Sequence, residues 1–205
     1  MEVTIIMHEH NLHENEHFFD HGAAKYDKRL TQFWMKKFYK PALHEIKTEG
    51  SILDVSCGTG NLLLELSKRS HKDLHGIDYS QQMVEVAQAK LKENATIQKA
   101  DVHHLPFKEN SFDYVISTEA FHHYYDQQKA LQELVRVTKK MGKVIICDIN
   151  FSFKNIHQLF HRFEPGHVKI NSKNEFRVLF ENVGLTQIRQ KRHYFFALKT
   201  VGVKS

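Results

Sequence analysis

Three prolines, two cysteines and a single tryptophan are spread over 205 residues, and each scarcity excludes something. So little proline leaves no linker-like or polyproline tract, and neither an internal repeat nor a low-complexity segment is visible. Two cysteines make no disulfide framework. Cys57 and Cys147 each sit inside an apolar run that reads as a buried strand or its end, so a reducing compartment is expected. No apolar run approaches the roughly 20 residues of a membrane-spanning helix. The N-terminal segment, Glu2 and then a His/Glu-rich stretch, lacks the basic and long apolar regions of a signal peptide. These absences together predict a soluble, cytoplasmic protein.

What is present is ordinary for a globular chain: 41% hydrophobic and 26% charged residues,. The length suits one domain with a modest appendage. Lys and Arg outnumber Asp and Glu by 29 to 24, a net charge of +5, which gives mild attraction to anions,. The basic residues fall mostly in scattered pairs such as Lys36-Lys37 and Lys139-Lys140, with one denser patch from Arg189 to His193, so nucleic acid stays a rival partner but not the favoured one,.

From Ser51 onward, short apolar runs alternate with segments of helical period, the pattern of a parallel sheet covered by helices on both faces,. Strands are expected at Ser51–Val55, Asp73–Asp78, Ile97–Asp101, Phe112–Ser117 and Lys143–Ile149. Helices are expected at Asn61–Ser70, after a Ser80 cap, and at Gln127–Lys140 with Gly142 as its stop,. Ser172-x-x-Glu175 reads as a capping box for a helix ended by Gly184, and β-like runs follow at Leu185–Lys191 and Tyr194–Val201,. The fold class is therefore α/β: a Rossmann-like, doubly wound, mostly parallel seven-stranded sheet with an N-terminal helical cap. Residues 1–17 read as a flexible His-rich leader, 18–48 as the cap, 18–205 as the domain and 151–170 as an inserted lid.

The strongest motif is Ile52-Leu53-Asp54-Val55-Ser56-Cys57-Gly58-Thr59-Gly60, a hydrophobic strand with a carboxylate that turns through glycines into a helix. Gly58 and Gly60 let the backbone bend sharply and approach a ligand, and the helix start presents free N–H groups. A dinucleotide fingerprint would have Gly or Ala three residues after Gly60, where this chain has Leu63,. Asp54 would repel a pyrophosphate but suits a ligand with an ammonium group, and adenosylmethionine carries one. Asp78 closes the second strand about 20 residues after the turn, the spacing at which a carboxylate accepts ribose hydroxyls. Asp101, at the expected end of the third strand, is placed for an adenine amino group. Any one of these could be a mere strand end or cap, but three on successive strands are hard to dismiss that way.

With these residues in view, Phe18 to Ile149 resembles the class I S-adenosylmethionine-dependent methyltransferases, in particular the small-molecule enzymes of the ubiquinone/menaquinone-biosynthesis type. The matching stretches are Ile52–Gly60, Gly76-Ile77-Asp78-Tyr79-Ser80, Ala100-Asp101, Leu105-Pro106-Phe107 with Ser111-Phe112-Asp113, and Leu134-Val135-Arg136-Val137. The resemblance implies a methyltransferase with S-adenosyl-L-methionine as cofactor. It assigns Asp54 and the turn through Ser56, Gly58 and Gly60 to the methionine part, Asp78 to the ribose, and Tyr79, Met83, Asp101 and Val102 to the adenine; Ser117 and, in the cap, Tyr26 complete the expected cofactor set. Phe18 and Tyr26-Asp27 match the family's cap pattern. Two positions depart from the family. Its first turn glycine is Ser56 here, and the Pro-Gly-Gly before its fifth strand reads Lys140-Met141-Gly142.

Methyl transfer from a sulfonium is an in-line displacement, so alignment of a small-molecule acceptor is the main task, with a base required only if the acceptor must lose a proton. Phe121-His122-His123-Tyr124-Tyr125 follows the fourth strand at the sheet's ligand-binding edge, and His122 or His123 is the candidate base or acceptor-orienting group, against a plain packing role,. Phe18, Phe19, Phe33, Trp34, Phe151, Phe153, Phe160 and Phe163 are candidates for an apolar acceptor pocket, about half of them ordinary core. His13-Glu14-Asn15-Glu16-His17 matches a zinc-protease spacing, but its polar flanks leave little apolar face to bury a catalytic helix, so no metal site is expected,. The rivals are an RNA (tRNA) methyltransferase and a non-catalytic cofactor-binding module; a nicotinamide-dependent oxidoreductase is disfavoured by Leu63.

Overall fold

The structure, a computed structural model, describes residues 29–47, 49–69, 73–151 and 168–205. Seven strands form one sheet in the order β3-β2-β1-β4-β5-β7-β6. They are β1 (Ile52–Val55), β2 (Leu74–Asp78), β3 (Thr96–Lys99), β4 (Phe112–Thr118), β5 (Thr138–Ile149), β6 (Leu185–His193) and β7 (Ala197–Lys204). Among the described residues five α-helices are present: α1 (Arg29–Leu43), α2 (Asn61–Ser67), α3 (Gln81–Leu91), α4 (Gln127–Val137) and α5 (Lys173–Asn182). Strand pairs from β3 through β5 are parallel, while β7 runs antiparallel to both β5 and β6. The chain winds from β1 towards β3 on one side and resumes at β4 on the other, so β1 and β4 flank the reversal where such sheets bind ligands,.

The apolar runs are continuous because both faces of the central strands are covered. All four residues of β1 are buried. Leu53, Val55, Val115, Val144 and Ile146 point to one layer, packed with Leu131, Leu134, Phe176 and Phe180 of α4 and α5. Ile52, Ile116 and Ile145 point to the other, against Tyr39, Leu63, Leu66, Ala87 and Leu91 of α1, α2 and α3. Alternation along β1 places Asp54 on the same face as Ile52, beneath α1 to α3.

Local chemistry fixes the element ends. Ser80 Oγ accepts the Met83 N–H at 3.1 Å at the start of α3. At α5 the reciprocal capping box is complete, with Ser172 and Glu175 each accepting the other's backbone N–H,. Helix α4 stops three residues earlier than its apolar period suggests: Thr138 caps it in an extended conformation, and β5 begins there. Gly142 lies inside β5, where a Cβ would stand 2.8 Å from the Lys139 carbonyl oxygen and 3.0 Å from that of Asp113, so its smallness serves close backbone approach instead of a helix stop,. β3 ends at Lys99, which leaves Asp101 in the following turn. β7 opens at Ala197 because Tyr194, with φ of 57°, belongs to the hairpin turn.

Helix α1 is fastened to the antiparallel side of the sheet. Lys199 on β7 is 6% exposed and donates from Nζ to Glu45 Oε1 at 2.6 Å and to the Pro41 carbonyl at 3.2 Å. Arg189 on β6 reaches the other Glu45 oxygen at 3.0 Å. Burial raises the Glu45 carboxyl, but the Lys199 hydrogen bond and the surrounding cations outweigh it, so its pKa lies below the ordinary value,. No helix among the described residues is long and apolar enough to cross a membrane.

Candidate functional site

At the carboxyl ends of β1 to β4, beneath α1, lies a cleft holding about 1050 Å³ of atom-free space, its open mouth included. The turn after β1 forms its floor. Ser56, Gly58 and Gly60 have φ of 57°, 52° and 76°, three left-handed residues within five, which bends the strand abruptly into α2,. The two glycines are required for different reasons. A Cβ at Gly58 would meet nothing within 4 Å, so the space over it is open to a ligand; a Cβ at Gly60 would stand 2.7 Å from Leu91 Cδ1, so there the constraint is the packing of α2 on α3.

Three carboxylates surround this turn. Asp54 is 1% exposed, and its Oδ1 is buried with no hydrogen-bond partner. Burial first, and then the charge of Asp78, pushes its pKa well above the usual carboxylate range,. A buried acceptor of this kind is costly unless something donates to it, a need that an ammonium group is chemically suited to meet. Asp78 braces the turn: its Oδ2 accepts the Gly58 N–H at 2.8 Å and its Oδ1 the Ser80 N–H at 3.0 Å. Asp101 accepts the His103 backbone N–H at 2.9 Å and meets His103 Nδ1 at 2.6 Å, all on Oδ1. Burial pushes the Asp101 carboxyl up, yet these His103 hydrogen bonds prevail and hold it below its ordinary value. The His103 ring stacks on Tyr125 at 3.6 Å, and burial with the nearby Asp101 charge pushes the Tyr125 phenol up to about 12.

The opposite wall comes from the end of β4 and from α1. Tyr124 Oη lies 3.0 Å from both Ser56 Oγ and Ser117 Oγ, tying the β1 turn to β4. Burial raises the Tyr124 phenol. Glu119 follows β4 directly in a left-handed conformation, with φ of 52°; its N–H donates to the Cys147 carbonyl at 2.9 Å, and its Oε1 accepts the Trp34 indole N–H. Met35 and Tyr39 of α1 close the cleft from above.

Of the residues expected from sequence, Asp54, Ser56, Gly58, Asp78, Tyr79, Met83, Asp101, Val102 and His123 all line this one cleft. Gly60 and Ser117 stand just behind it, in the packing and hydrogen-bonding roles given above. The adjacent histidines part company. His123 lines the cleft, whereas His122 is fully buried, with Nδ1 2.7 Å from Asp148 Oδ1 and its carbonyl accepting the N–H groups of Val168 and Lys169. Tyr26, the His13–His17 pattern and most of the expected lid lie outside the described residues. Among the aromatic candidates within them, Trp34 stacks on Phe196 at 4.5 Å and Phe151 is buried in the same small cluster, while Phe33 is 63% exposed, so none of the three lines the cleft. In the basic patch, Arg189 is engaged by Glu45 and Arg192 Nη1 donates to the Asn150 carbonyl at 2.6 Å.

Sequence reasoning put Tyr124 and Tyr125 at this edge without giving them a role, and it missed Glu119 and His103 as cleft residues. Their position straight after β3 or β4 is the signal that could have found them, since strand ends at the reversal supply the ligand-facing side chains. Fold and cleft together define an α/β protein built to hold a nucleoside ligand bearing a positive charge. A methyltransferase-domain family profile matches residues 53–146. A demethylmenaquinone methyltransferase of Staphylococcus haemolyticus is 30% identical over 177 residues, covering 78% of this chain and 74% of that protein. The enzyme of that name from Thermotoga maritima is 32% identical over 137 residues, which span 64% of this chain and 59% of the relative. Among solved structures, a chain of the complex between the Haloferax volcanii Trm112 methyltransferase activator and a methyltransferase superposes with a TM-score of 0.80 at 24% identity, covering 90% of this chain and 96% of that one. A methyltransferase from Aquifex aeolicus gives 0.71 at 22% identity, covering 91% and 98%. The chain belongs to the class I S-adenosylmethionine-dependent methyltransferases.

Proposed function

We propose that this protein transfers a methyl group from S-adenosylmethionine to a small-molecule acceptor in the cleft beneath α1. The observation that carries the cofactor's place is the buried, partnerless Oδ1 of Asp54 beside an open glycine turn. Asp54 takes the ammonium of the methionine part, and the open face of Gly58 admits its backbone. Asp78, already oriented by two N–H donors, accepts the ribose hydroxyls on its remaining lone pairs,. Tyr79, Met83, Asp101 and Val102 receive the adenine, with Asp101 held ionised by His103. When bound, the cofactor supplies a methyl group on a cationic sulfur.

The protein's task is then to align the acceptor and exclude water, work done here by α1, the post-β4 loop and Tyr124. The bound cofactor would supply that methyl by displacement at carbon, with its sulfur leaving as a neutral thioether that keeps the electron pair. An acceptor O–H, N–H or acidic C–H also loses a proton, and we assign its removal to His123, which lines the cleft as His103 does,. His122, packed against Asp148, holds the loop that carries His123. The curated relatives named demethylmenaquinone methyltransferases favour an acceptor of the quinone type in its reduced form.

Calorimetry with S-adenosylhomocysteine, followed by incubation with methyl-labelled cofactor and either reduced demethylmenaquinone or a fractionated cell extract, tests the proposal. Micromolar binding and label in a low-molecular-mass product are expected. Binding without transfer to any fraction would leave a cofactor-binding module instead, and label confined to RNA would favour the rival acceptor.

A further inference from the structure

Asp101 stands where the sheet stops fixing the chain. Ala100 still donates its N–H to the Asp78 carbonyl at 3.0 Å, but the backbone then turns, with the His104 N–H on the Asp101 carbonyl at 3.1 Å. A carboxylate in such a turn swings unless its neighbours hold it, and His103 holds this one twice. The His103 backbone N–H closes an Asx turn onto Asp101 Oδ1 at 2.9 Å, and ring Nδ1 reaches the same oxygen at 2.6 Å,.

The imidazole is fixed in turn. The Asp126 N–H lies 3.4 Å from its Nε2, and a backbone N–H can donate but not accept, so Nε2 is the acceptor and the ring proton sits on Nδ1, aimed at Asp101,. Asp126 itself caps α4, its Oδ1 accepting the Lys129 N–H at 2.9 Å. Tyr125 stacks on the imidazole with centroids 3.6 Å apart, Tyr124 meets it edge-on at 6.0 Å, and His103 is 2% exposed. A line of contacts thus runs from the start of α4, through an imidazole packed against two tyrosines, to one oxygen of a carboxylate that lines the cleft.

Both His103 donors fall on Oδ1, and the second oxygen keeps accepting capacity for a ligand; the His104 Nδ1 stands 3.7 Å from Oδ2, a loose pair. An ionised carboxylate accepts and cannot donate. Set against the six-position of a purine it attracts an amino group and repels a carbonyl oxygen, so its orientation decides between the two. We infer that His103 is a positioning residue for cofactor selection: it holds Asp101 so that Oδ2 takes the amino group of a 6-aminopurine nucleoside, and the cleft rejects the 6-oxo counterpart. The inference rests on the placement of the adenine proposed above and adds the residue that enforces it.

Calorimetry compares S-adenosylhomocysteine with S-inosylhomocysteine, which carries an oxo group in place of the amino group. The wild type should prefer the first by about thirtyfold or more, because a hydrogen bond to an ionised acceptor gives way to repulsion. Equal affinities overturn the inference and leave the cofactor's place in the cleft standing; no binding of S-adenosylhomocysteine by the wild type overturns the cofactor reading and the inference with it. Two variants then divide the donor from the packing. His103→Phe keeps a ring on Tyr125 but has no nitrogen. It should weaken S-adenosylhomocysteine about tenfold and leave S-inosylhomocysteine nearly unchanged, so that the preference falls to about threefold. His103→Asn gives up the ring but carries an amide N–H close to the place of Nδ1, and should restore most of the preference. Both ligands weakened together in His103→Phe, with the preference intact, would mark a packing role and refute the assignment. So would a His103→Asn protein that binds S-adenosylhomocysteine with no preference over the 6-oxo ligand, a result that decides the matter even if His103→Phe does not fold.

Discussion

Replacing Asp54 by Asn separates what this carboxylate does for binding from what it does to the fold. In the wild type the group is 1% exposed, its Oδ1 has no partner, and burial followed by the Asp78 charge raises its pKa well above the ordinary 3.8. The folded protein therefore keeps the proton at pH values where the unfolded chain has released it. Stability from this group is fully present below 3.8 and is lost as the pH rises towards the folded value,. Each unit of that rise costs about 1.4 kcal/mol, or a few degrees of melting temperature for a chain of this size. Asn cannot ionise, so the variant without ligand should melt higher than the wild type at neutral and alkaline pH and lack this sloping component. Binding should move the opposite way. Losing a buried charge partner for an ammonium costs at least about 2 kcal/mol, a weakening of roughly thirtyfold. Thermal melts between about pH 5 and 9, paired with calorimetry on S-adenosylhomocysteine, measure both effects. The reasoning fails if Asp54→Asn binds that ligand within about threefold of the wild type, or if the two proteins lose stability with pH in parallel.

Two further expectations concern the frame around the cleft. Gly60→Ala must hold an alanine at φ of 76° with its Cβ 2.7 Å from Leu91 Cδ1, so left-handed strain and overpacking together should cost about 2 kcal/mol or more in a denaturant titration; an unchanged midpoint would contradict the packing described,. Ser172→Ala should cost about 1 kcal/mol by removing the cap of α5,. The Lys169 hydrogen bond and those from Ser172 lower Glu175 from 4.5 to about 2, so its stabilisation is present above 4.5 and fades as the pH falls towards 2,. That acid limb should be shallower in Ser172→Ala and in high salt, because both partners of the Lys169 pair are about half exposed,.

The strands were legible because a parallel sheet buried on both faces leaves continuous apolar runs, as in β1 and β4, and glycine turns punctuate them. The carboxylates in β1, at the end of β2 and in the turn after β3 were legible because each stands towards the carboxyl end of a neighbouring parallel strand, where they line one cleft. Boundaries set by tertiary contact were less so. Val137 and Lys140 share a helical period, yet Thr138 pairs with Phe112 on β4 and helix yields to strand there. The roles of His122 and His123 could not be told apart in sequence, since which of two adjacent residues turns inward depends on the short 3₁₀ turn at Phe121–His123 and on Asp148, 26 positions away. Glu119 was hidden for a similar reason: its partner Trp34 is 85 residues distant, and long-range pairing of polar side chains leaves no periodic trace.

The tether of Lys199 and Arg189 to Glu45 couples the sheet's antiparallel flank to one wall of the cleft. Because the helix it anchors also carries Met35, Tyr39 and Trp34, a substitution on β7, far from any reacting atom, would be read out as altered acceptor handling while the adenosine end of the berth kept its grip. In this architecture strands that supply no residue to the lining of the cleft hold the roof over it.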